Sequence, residues 1–270
     1  MDETSLVPSP APVPPMLTDP VPILLIHAFP LDARMWRPQI EAFRNIRLLA
    51  PDLRGFGRNH RSPLFESVDQ HAKDLVALLD QSSTPRALVV GLSMGGYIAL
   101  ALARLFPHRV AGLVLANTRA EPDQDADRDL RDAMIEQVHS VGTSLLPNVM
   151  LPKLVAPTCD DATRNFLRVM MLEQDPHGVI AALRALRNRP DARGGLFQIH
   201  CPTALVGGEH DALTPPSVLH AIADAVPGAT MTVIPGTGHL TNLEAPAAFN
   251  QVVANVHERV RHTALASLKS

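Results

Sequence analysis

The sequence predicts an α/β fold, with a doubly wound, mostly parallel sheet of about six strands that begins at Ile23 and a helical cap inserted into it. Short, unbroken apolar runs, typical of parallel strands buried on both faces, alternate with helical patterns up to about residue 117. From there to about residue 199 the pattern is helical throughout, and then the alternation resumes. Seven prolines among the first 22 residues leave no central strand before Ile23.

These boundaries divide the chain into three predicted parts. Residues 1–22 form a proline-rich segment, residues 23–117 and 199–270 form the sheet and its helices, and residues 118–198 form the cap. A chain of 270 residues with 46% hydrophobic content is long enough to bury one large core.

The individual elements are predicted in chain order. The apolar runs predict strands at residues 23–27, 46–50, 87–91, 110–116, 203–206 and 230–234. Helical patterns occupy residues 35–43, 68–79, 126–140, 162–174 and 177–188, and two more helices begin after Thr214-Pro215 and near Pro246. Ser67 and Gln70 have S-x-x-Q spacing at the start of the second helix, which predicts a capping box.

The composition argues against several classes of function. The 24 Lys and Arg residues nearly balance the 27 Asp and Glu residues, so neither nucleic acid nor a membrane is an expected partner. Cys159 and Cys201 lack the spacing of a metal site or a redox pair. We find no secretory signal pattern and no apolar run of about 18 residues, so the cytoplasm is the expected compartment. A homo-oligomer remains compatible with the sequence.

The G-x-S-x-G motif at residues 91–95 is the strongest chemical signal. It lies where an apolar strand ends and a helix begins, the context in which a tight turn exposes a serine hydroxyl. Such a turn strains the serine backbone and leaves no space for bulky side chains two residues away on either side. Gly91 and Gly95 meet that requirement, so Ser93 is the predicted nucleophile. The alternative interpretation is a Gly-Ser turn before a helix.

A serine nucleophile needs a base within hydrogen-bonding reach, and the chain has 12 histidines. His239 follows the last predicted strand in a G-T-G-H-L segment, from which a loop at the carboxyl edge of the sheet can return over the serine. His27 and His210 are the competitors, and we expect a structural role for both. His239 is therefore the predicted base.

The acid that orients the histidine is expected on another loop at the same edge of the sheet. Residues 207–211 leave the strand at 203–206 and contain both Glu209 and Asp211. Asp211 is the predicted acid and Glu209 the alternative, while Asn117 occupies another strand end where such an acid could stand. The order Ser, Asp, His along the chain is the one expected for α/β-hydrolases.

Two backbone N–H groups are expected to stabilise the oxyanion that forms when the serine attacks. Met94, directly after the nucleophile, supplies one of them. Phe29, in the loop after the first strand, supplies the other, and its ring is expected to wall the pocket.

Five segments together resemble the α/β-hydrolase family: H-x-F-P at 27–30, P-D-x-R-G-x-G at 51–57, G-L-S-M-G-G at 91–96, G-G-E-x-D at 207–211 and G-T-G-H at 236–239. The likeness is strongest to a small capped group of esterases, 3-oxoadipate enol-lactonase-like lactonases and cofactor-free haloperoxidases. This resemblance implies a Ser/Asp/His triad, no cofactor and no metal. Ala28 stands where the family usually has glycine, and six strands are fewer than the family's usual eight.

The expected function is hydrolysis of a carboxylic ester or lactone, a small-molecule substrate, through an acyl-enzyme on Ser93. Short to medium uncharged acyl substrates are favoured. The alternatives are a lactonase acting on a carboxylate-bearing lactone and a haloperoxidase or perhydrolase side activity. A hydrolase-fold ligand receptor is the non-enzymatic alternative.

The cap is expected to roof the site and to determine which substrates fit. The residues predicted to line the pocket are His27, Leu146, Met150, Phe166 and Leu240. Three arginines are candidates to hold a substrate carboxylate, with solvated helix faces as the alternative interpretation: Arg119, Arg184 and Arg187.

Overall fold

The computed structural model describes residues 21–267, with side chains up to residue 263, so all but the last two residues of the predicted proline-rich segment lie outside the described residues. The described strands are β1 (Ile23–Ile26), β2 (Leu48–Leu49), β3 (Ala87–Leu92), β4 (Val110–Ala116), β5 (Thr203–Gly208) and β6 (Thr230–Ile234). The described α-helices are α1 (Arg37–Ala42), α2 (Val68–Gln81), α3 (Met94–Leu105), α4 (Asp125–Val141), α5 (Leu146–Leu154), α6 (Asp161–Leu172), α7 (Pro176–Arg187), α8 (Pro216–Ala225), α9 (Thr241–Glu244) and α10 (Pro246–Ser267). Short 3-10 helices occupy Ala33–Trp36, Gly57–Asn59, Pro107–Arg109, Gly142–Leu145 and Arg193–Gln198.

The six strands form one parallel sheet in the order β2-β1-β3-β4-β5-β6. The chain winds from β1 to β2 in one direction and from β3 to β6 in the other, so the predicted doubly wound α/β sheet of six strands is confirmed. Such a sheet has a crevice at the carboxyl ends of the strands where the winding reverses. Here that crevice lies between the loops that follow β1 and β3.

The strands in the middle of the sheet are buried over their whole length because helices cover both faces. Every residue of β1, β3, β4 and β5 is buried. The edge strand β2 is shorter than predicted, since only Leu48 and Leu49 pair with β1. Ser67 caps α2 by accepting the Asp69 N–H, so its capping bond does not go to residue 70 as the capping-box spacing predicts.

Residues Val21 and Pro22 belong to the folded core rather than to a separate segment. Val21 is buried, and the Pro22 carbonyl accepts a hydrogen bond from the Leu88 N–H over 2.9 Å. These last two residues of the predicted proline-rich segment therefore pack with the sheet.

Four α-helices, α4 to α7, lie between β4 and β5 along the chain and are called the inserted helices below. β4 and β5 nevertheless pair directly, and α4 packs against α7 and α5 against α6. The sequence patterns did not predict α5, which contains Pro147 and Pro152. Pro147 lies in the first turn, where the backbone N–H that proline lacks would have no partner within the helix. Pro152 lies two residues before the end of the helix.

Within residues 21–267, none of the helices has the length and apolar character that a membrane crossing requires.

Candidate active site

Ser93 stands on a sharp turn between β3 and α3. Its φ of 55° and ψ of −113° lie in a region that side chains other than glycine rarely adopt. Its N–H donates to the Ala116 carbonyl at the end of β4 over 2.9 Å, which fixes the turn to the carboxyl edge of the sheet. The hydroxyl group is thereby presented above the crevice between β1 and β3.

Two glycines make this turn sterically feasible. A Cβ atom on Gly91 would lie 2.2 Å from the Gly95 carbonyl oxygen, and one on Gly95 would lie 2.0 Å from the carbonyl oxygen of Ile26 in β1. Both distances are far below van der Waals contact. The close approach of α3 to the sheet therefore requires glycine at both positions of the motif.

Asp211 lies in the loop after β5, and its carboxylate is buried among hydrogen-bond donors. Oδ1 accepts the N–H groups of Leu213 and Thr214, each over 2.9 Å, and Oδ2 accepts the Thr214 hydroxyl over 2.6 Å. Burial alone would raise the pKa of Asp211. The charge of His239 and the hydrogen bonds from His239, Thr214 and Asn117 outweigh burial and lower this pKa below its usual range.

His239 lies in the loop after β6, with its ring held on the Asp211 carboxylate. Nδ1 is 2.9 Å from Oδ1 and 2.8 Å from Oδ2 of Asp211. An ionised carboxylate only accepts hydrogen bonds, so Nδ1 carries the proton and Nε2 has a free lone pair. Nε2 is buried and has no hydrogen-bond partner among the described residues. The backbone N–H of His239 donates to the Leu154 carbonyl over 3.1 Å, which ties this loop to α5.

Ser93 and His239 line the same cavity, which has a volume of about 430 Å³. The three residues predicted as nucleophile, acid and base thus follow β3, β5 and β6 at one edge of the sheet. Within the described residues no hydrogen bond joins the Ser93 hydroxyl to Nε2 of His239, and catalytic hydrogen bonds in unliganded sites often form only when substrate binds.

The two predicted oxyanion donors flank this crevice. Phe29 lines the cavity with Ser93, and its N–H has no acceptor among the described residues. Met94 is the first residue of α3, so its N–H has no partner within the helix. Both groups are therefore available to a ligand oxygen.

Asn117 and Glu244 also hold the site together, although neither was predicted to. Asn117 follows β4 with a φ of 46°, and its Nδ2 donates to Oδ2 of Asp211 over 2.9 Å. Glu244 accepts the N–H groups of Ala156 and Gly238, which fixes the His239 loop to the end of α5. Burial raises the pKa of Glu244. From the sequence, Asn117 was noted only because it occupies a strand end at which the acid of the triad could have stood. No sequence pattern pointed to Glu244.

Only one of the five predicted pocket residues lines the cavity, namely Met150 on α5. Leu146 and Leu240 are instead fully buried in the core, and Phe166 on α6 packs against that core. His27 is also fully buried, and its Nε2 accepts the Leu53 N–H over 3.0 Å. The prediction of a pocket role is therefore wrong for these four residues, because their side chains turn inward.

His27 instead ties the loop after β1 to the loop before Leu53. Its Nδ1 lies 3.1 Å from the Ala28 carbonyl, and its ring packs edge-on against Phe56 at a centroid distance of 5.3 Å. Burial lowers the pKa of His27, so the ring stays neutral and Nε2 remains able to accept. This is the structural role expected for His27 as a competitor of His239.

The rest of the cavity wall comes largely from the inserted helices. α4 contributes Leu130 and Met134, α5 contributes Val149 and Met150, and α7 contributes Leu186. The chain segment between β4 and β5 therefore covers the crevice in which Ser93 stands.

The chain is similar in sequence and fold to several known proteins. An esterase from Thermogutta terrifontis, solved with malate bound, is 35% identical with a TM-score of 0.86, over 89% of this chain and 90% of that one. The enol-lactonase from Burkholderia xenovorans LB400 is 26% identical with a TM-score of 0.80, over 87% and 90% of the two chains. A protein from Variovorax paradoxus (strain S110), described as a proposed carbamate hydrolase, is 29% identical over 88% of this chain and 92% of its own length.

The family model described as the alpha/beta hydrolase family matches residues 23–252, which include the sheet, the inserted helices and all three loops of the site. With the parallel six-stranded sheet and the strained serine turn, this match establishes that the chain belongs to the α/β-hydrolase family.

Proposed function

We propose that this protein is a serine hydrolase that cleaves carboxylic esters or lactones through an acyl-enzyme on Ser93. One observation carries the proposal: Asp211 holds the His239 ring at Nδ1, Nε2 has no hydrogen-bond partner among the described residues, and His239 lines the same cavity as Ser93. This is the arrangement that turns a weak serine nucleophile into a strong one.

The first half of the reaction forms the acyl-enzyme. Ser93 Oγ attacks the carbonyl carbon of the substrate while its proton passes to Nε2 of His239. The carbonyl oxygen becomes an oxyanion and accepts the N–H groups of Phe29 and Met94. The carbon–oxygen bond to the leaving alkoxide then breaks, and the proton on Nε2 moves to that oxygen.

The second half of the reaction releases the acid. Water gives a proton to Nε2 of His239 and attacks the acyl carbon, and Ser93 Oγ leaves and regains its proton. Asp211 remains ionised in both halves because its pKa lies below the usual range, so its negative charge faces the imidazolium each time that ion forms.

We further propose that residues 118–198 act as a cap that limits substrate size. A cavity of about 430 Å³ lies at the small end of the range for ligand sites, roughly 300–1,000 Å³. It suits short to medium acyl groups better than long chains. The named activities of an esterase and an enol-lactonase among the similar proteins support an ester or lactone as the substrate class.

A panel of p-nitrophenyl esters of increasing acyl length, with small lactones and a carbamate, tests this proposal. We expect the highest kcat/KM with short to medium esters or lactones, and a loss of on the order of 10⁴ to 10⁶ in Ser93→Ala. Ser217→Ala is the matched control, because Ser217 is exposed on α8, away from the cavity. Turnover in Ser93→Ala at the wild-type rate would refute the proposal. Faster cleavage of the carbamate than of every ester and lactone would show that the substrate class is a carbamate instead.

A further inference from the structure

We propose that Lys153 and Arg119 form an anion-binding subsite, so that the preferred substrate carries a carboxylate at a distance from the bond that is cleaved. This inference rests on the proposed function, because it concerns the substrate of Ser93. It assigns a role to charges in the cavity that the triad does not use.

The cavity wall is more positive than the protein as a whole. Among the described residues, four cationic side chains line it against two acidic ones: Arg119, Arg131, Lys153 and Arg189 against Asp123 and Asp127. The chain carries a formal net charge of −3, so this excess is local. A concave surface lined by one sign of charge attracts ligands of the opposite sign.

Two of the four cations already pair with one carboxylate. Asp123, which is 3% exposed, accepts from Nη1 of Arg189 and from Nε of Arg131, the latter over 3.2 Å. The Arg189 guanidinium also lies over the ring of Tyr97, 4.5 Å from its centroid. Asp127 accepts the N–H of Gln124 at the start of α4. The two carboxylates Asp123 and Asp127 together balance the charges of Arg131 and Arg189, so these four groups offer a ligand no net positive charge.

Arg119 and Lys153 differ from this pair because neither has an acidic partner among the described residues. Nη2 of Arg119 donates to the carbonyl oxygen of Leu213, which leaves the other guanidinium donors without a carboxylate. Lys153 is exposed on α5 and makes no ion pair or hydrogen bond within the described part of the chain. An anionic ligand would therefore meet two cations without first displacing a protein carboxylate.

Each cation is connected through a hydrogen bond to the backbone of one of the loops that carry Asp211 and His239. Lys153 directly precedes Leu154, whose carbonyl accepts the N–H of His239. Arg119 reaches Leu213, two residues after Asp211. The subsite therefore borders the same cavity as the serine, and apolar groups such as Met150 and Val149 complete the wall. A ligand with an apolar middle and one charged end matches this distribution, as in a monoester of a dicarboxylic acid or a lactone that bears a carboxylate.

The two other arginines that the sequence suggested for this role are engaged elsewhere. Arg184 pairs with Glu66 over 2.6 Å, and Arg187 pairs with Asp132 over 2.7 Å, and neither lines the cavity. Of the three arginines predicted to bind a substrate carboxylate, Arg119 is the one that lines the cavity, and Lys153 is a second cation there that was not predicted.

The test compares monomethyl adipate with methyl hexanoate, which differ only in whether the far end of the acyl chain is a carboxylate or a methyl group. Hydrolysis of both is followed by pH-stat, and the readout is the ratio of their kcat/KM values. Because Lys153 is exposed and partly screened by solvent, we expect Lys153→Met to lower this ratio about two- to fivefold and Lys153→Glu to lower it further. Lys73→Met, a change of an exposed lysine on α2 outside the cavity, leaves the ratio unchanged.

The outcomes separate this inference from the proposed function. A wild-type ratio above one that falls in Lys153→Met, in Arg119→Met and at high salt supports the subsite. A ratio that stays the same in both Lys153 variants and in Arg119→Met overturns the subsite while the hydrolase proposal stands. Failure of the wild-type protein to hydrolyse these two esters overturns the subsite, and the proposed function falls with it only if the p-nitrophenyl esters and lactones are not hydrolysed either.

Discussion

Asn117 donates a hydrogen bond from Nδ2 to Oδ2 of Asp211 over 2.9 Å, so a residue at the end of β4 helps to hold the acid that follows β5. The orientation of its amide group is fixed, since Oδ1 of Asn117 accepts the hydroxyl of Thr241 over 2.7 Å. The backbone of Asn117 has a φ of 46°, a conformation that only a few residue types adopt readily. In the proposed mechanism Asn117 therefore acts through Asp211, as a positioning residue rather than as a group that touches substrate.

Removal of this amide group is expected to slow the chemical step. We expect Asn117→Gly, which tolerates the positive φ, to lower kcat by about 10- to 100-fold with a smaller change in KM, because a hydrogen bond to a charged group is worth about 1.5–3 kcal/mol. Asn117→Ala loses the same amide group and adds backbone strain. A fall in kcat that occurs in Asn117→Ala but not in Asn117→Gly would therefore point to the backbone conformation rather than to the amide group. Steady-state kinetics on a p-nitrophenyl ester measure both, with the exposed Asn255→Ala as control. Wild-type kcat in the glycine variant would contradict the positioning role.

Asp211 rather than Glu209 is expected to be the acid of the triad. Asp211→Asn is expected to lower kcat by about 10⁴, since an amide at this place favours the wrong histidine tautomer. Glu209 is exposed, and its carboxylate accepts the Gly236 N–H, so Glu209→Gln is expected to stay within a few-fold of wild type. The kcat values of the two isosteric variants decide between them. If Glu209→Gln were the inactive one, the role would transfer to Glu209.

Gly95 is expected to be essential for folding, because the Ile26 carbonyl oxygen occupies the place where a side chain at position 95 would begin. A Cβ there would lie 2.0 Å from that oxygen, so α3 would have to move away from the sheet. We expect Gly95→Ala to lower the free energy of unfolding by at least about 3 kcal/mol, beyond the usual cost of overpacking. Gly194→Ala is the matched control, since a Cβ at Gly194 has no atom within 4 Å. Equal urea midpoints for the two variants would argue against this close packing.

His71 is expected to make stability depend on pH. Burial, the largest cause, lowers the pKa of His71 from 6.5 to about 4. The unfolded chain therefore binds a proton that the folded chain does not over this window, so the free energy of unfolding falls as pH decreases from 6.5 towards 4. The shift corresponds to a loss of about 3 kcal/mol at most.

Urea unfolding of wild type and His71→Gln between pH 7 and pH 4 measures this contribution. We expect a shallower fall in the variant, whereas His220→Gln, which changes an exposed histidine on α8, keeps the wild-type slope. The same slope in wild type and His71→Gln would show that His71 does not titrate in this window.

Sequence patterns predicted the fold and the three loops of the site because both depend on local signals. Apolar runs mark buried strands, and the residues around Ser93, Asp211 and His239 follow three of those strands, whose carboxyl ends meet at one edge of a parallel sheet. The contact between Asn117 and Asp211 joins two strand ends that the whole insertion separates, so no local pattern shows it.

The pocket was predicted poorly for a different physical reason. Which face of an inserted helix meets the cavity depends on how the helices pack on each other. An apolar side chain is compatible with both a core position and a pocket position, so its chemical type does not distinguish them. Leu146 and Met150 lie one turn apart on α5, yet only Met150 lines the cavity. Lys153 was overlooked because Pro147 and Pro152 hid the helical pattern of α5.

Covalent labelling of Ser93 tests the central claim most directly. The protein is treated with a fluorophosphonate, and mass spectrometry locates the adduct in wild type, in Ser93→Ala and in His239→Ala. The proposed mechanism predicts one adduct on Ser93 in wild type, no adduct in Ser93→Ala and much slower labelling in His239→Ala, since His239 removes the proton from the attacking hydroxyl. Labelling of Ser93→Ala at the wild-type rate, or ligand binding by wild type without any adduct, would contradict the claim and would favour a receptor built on the hydrolase fold.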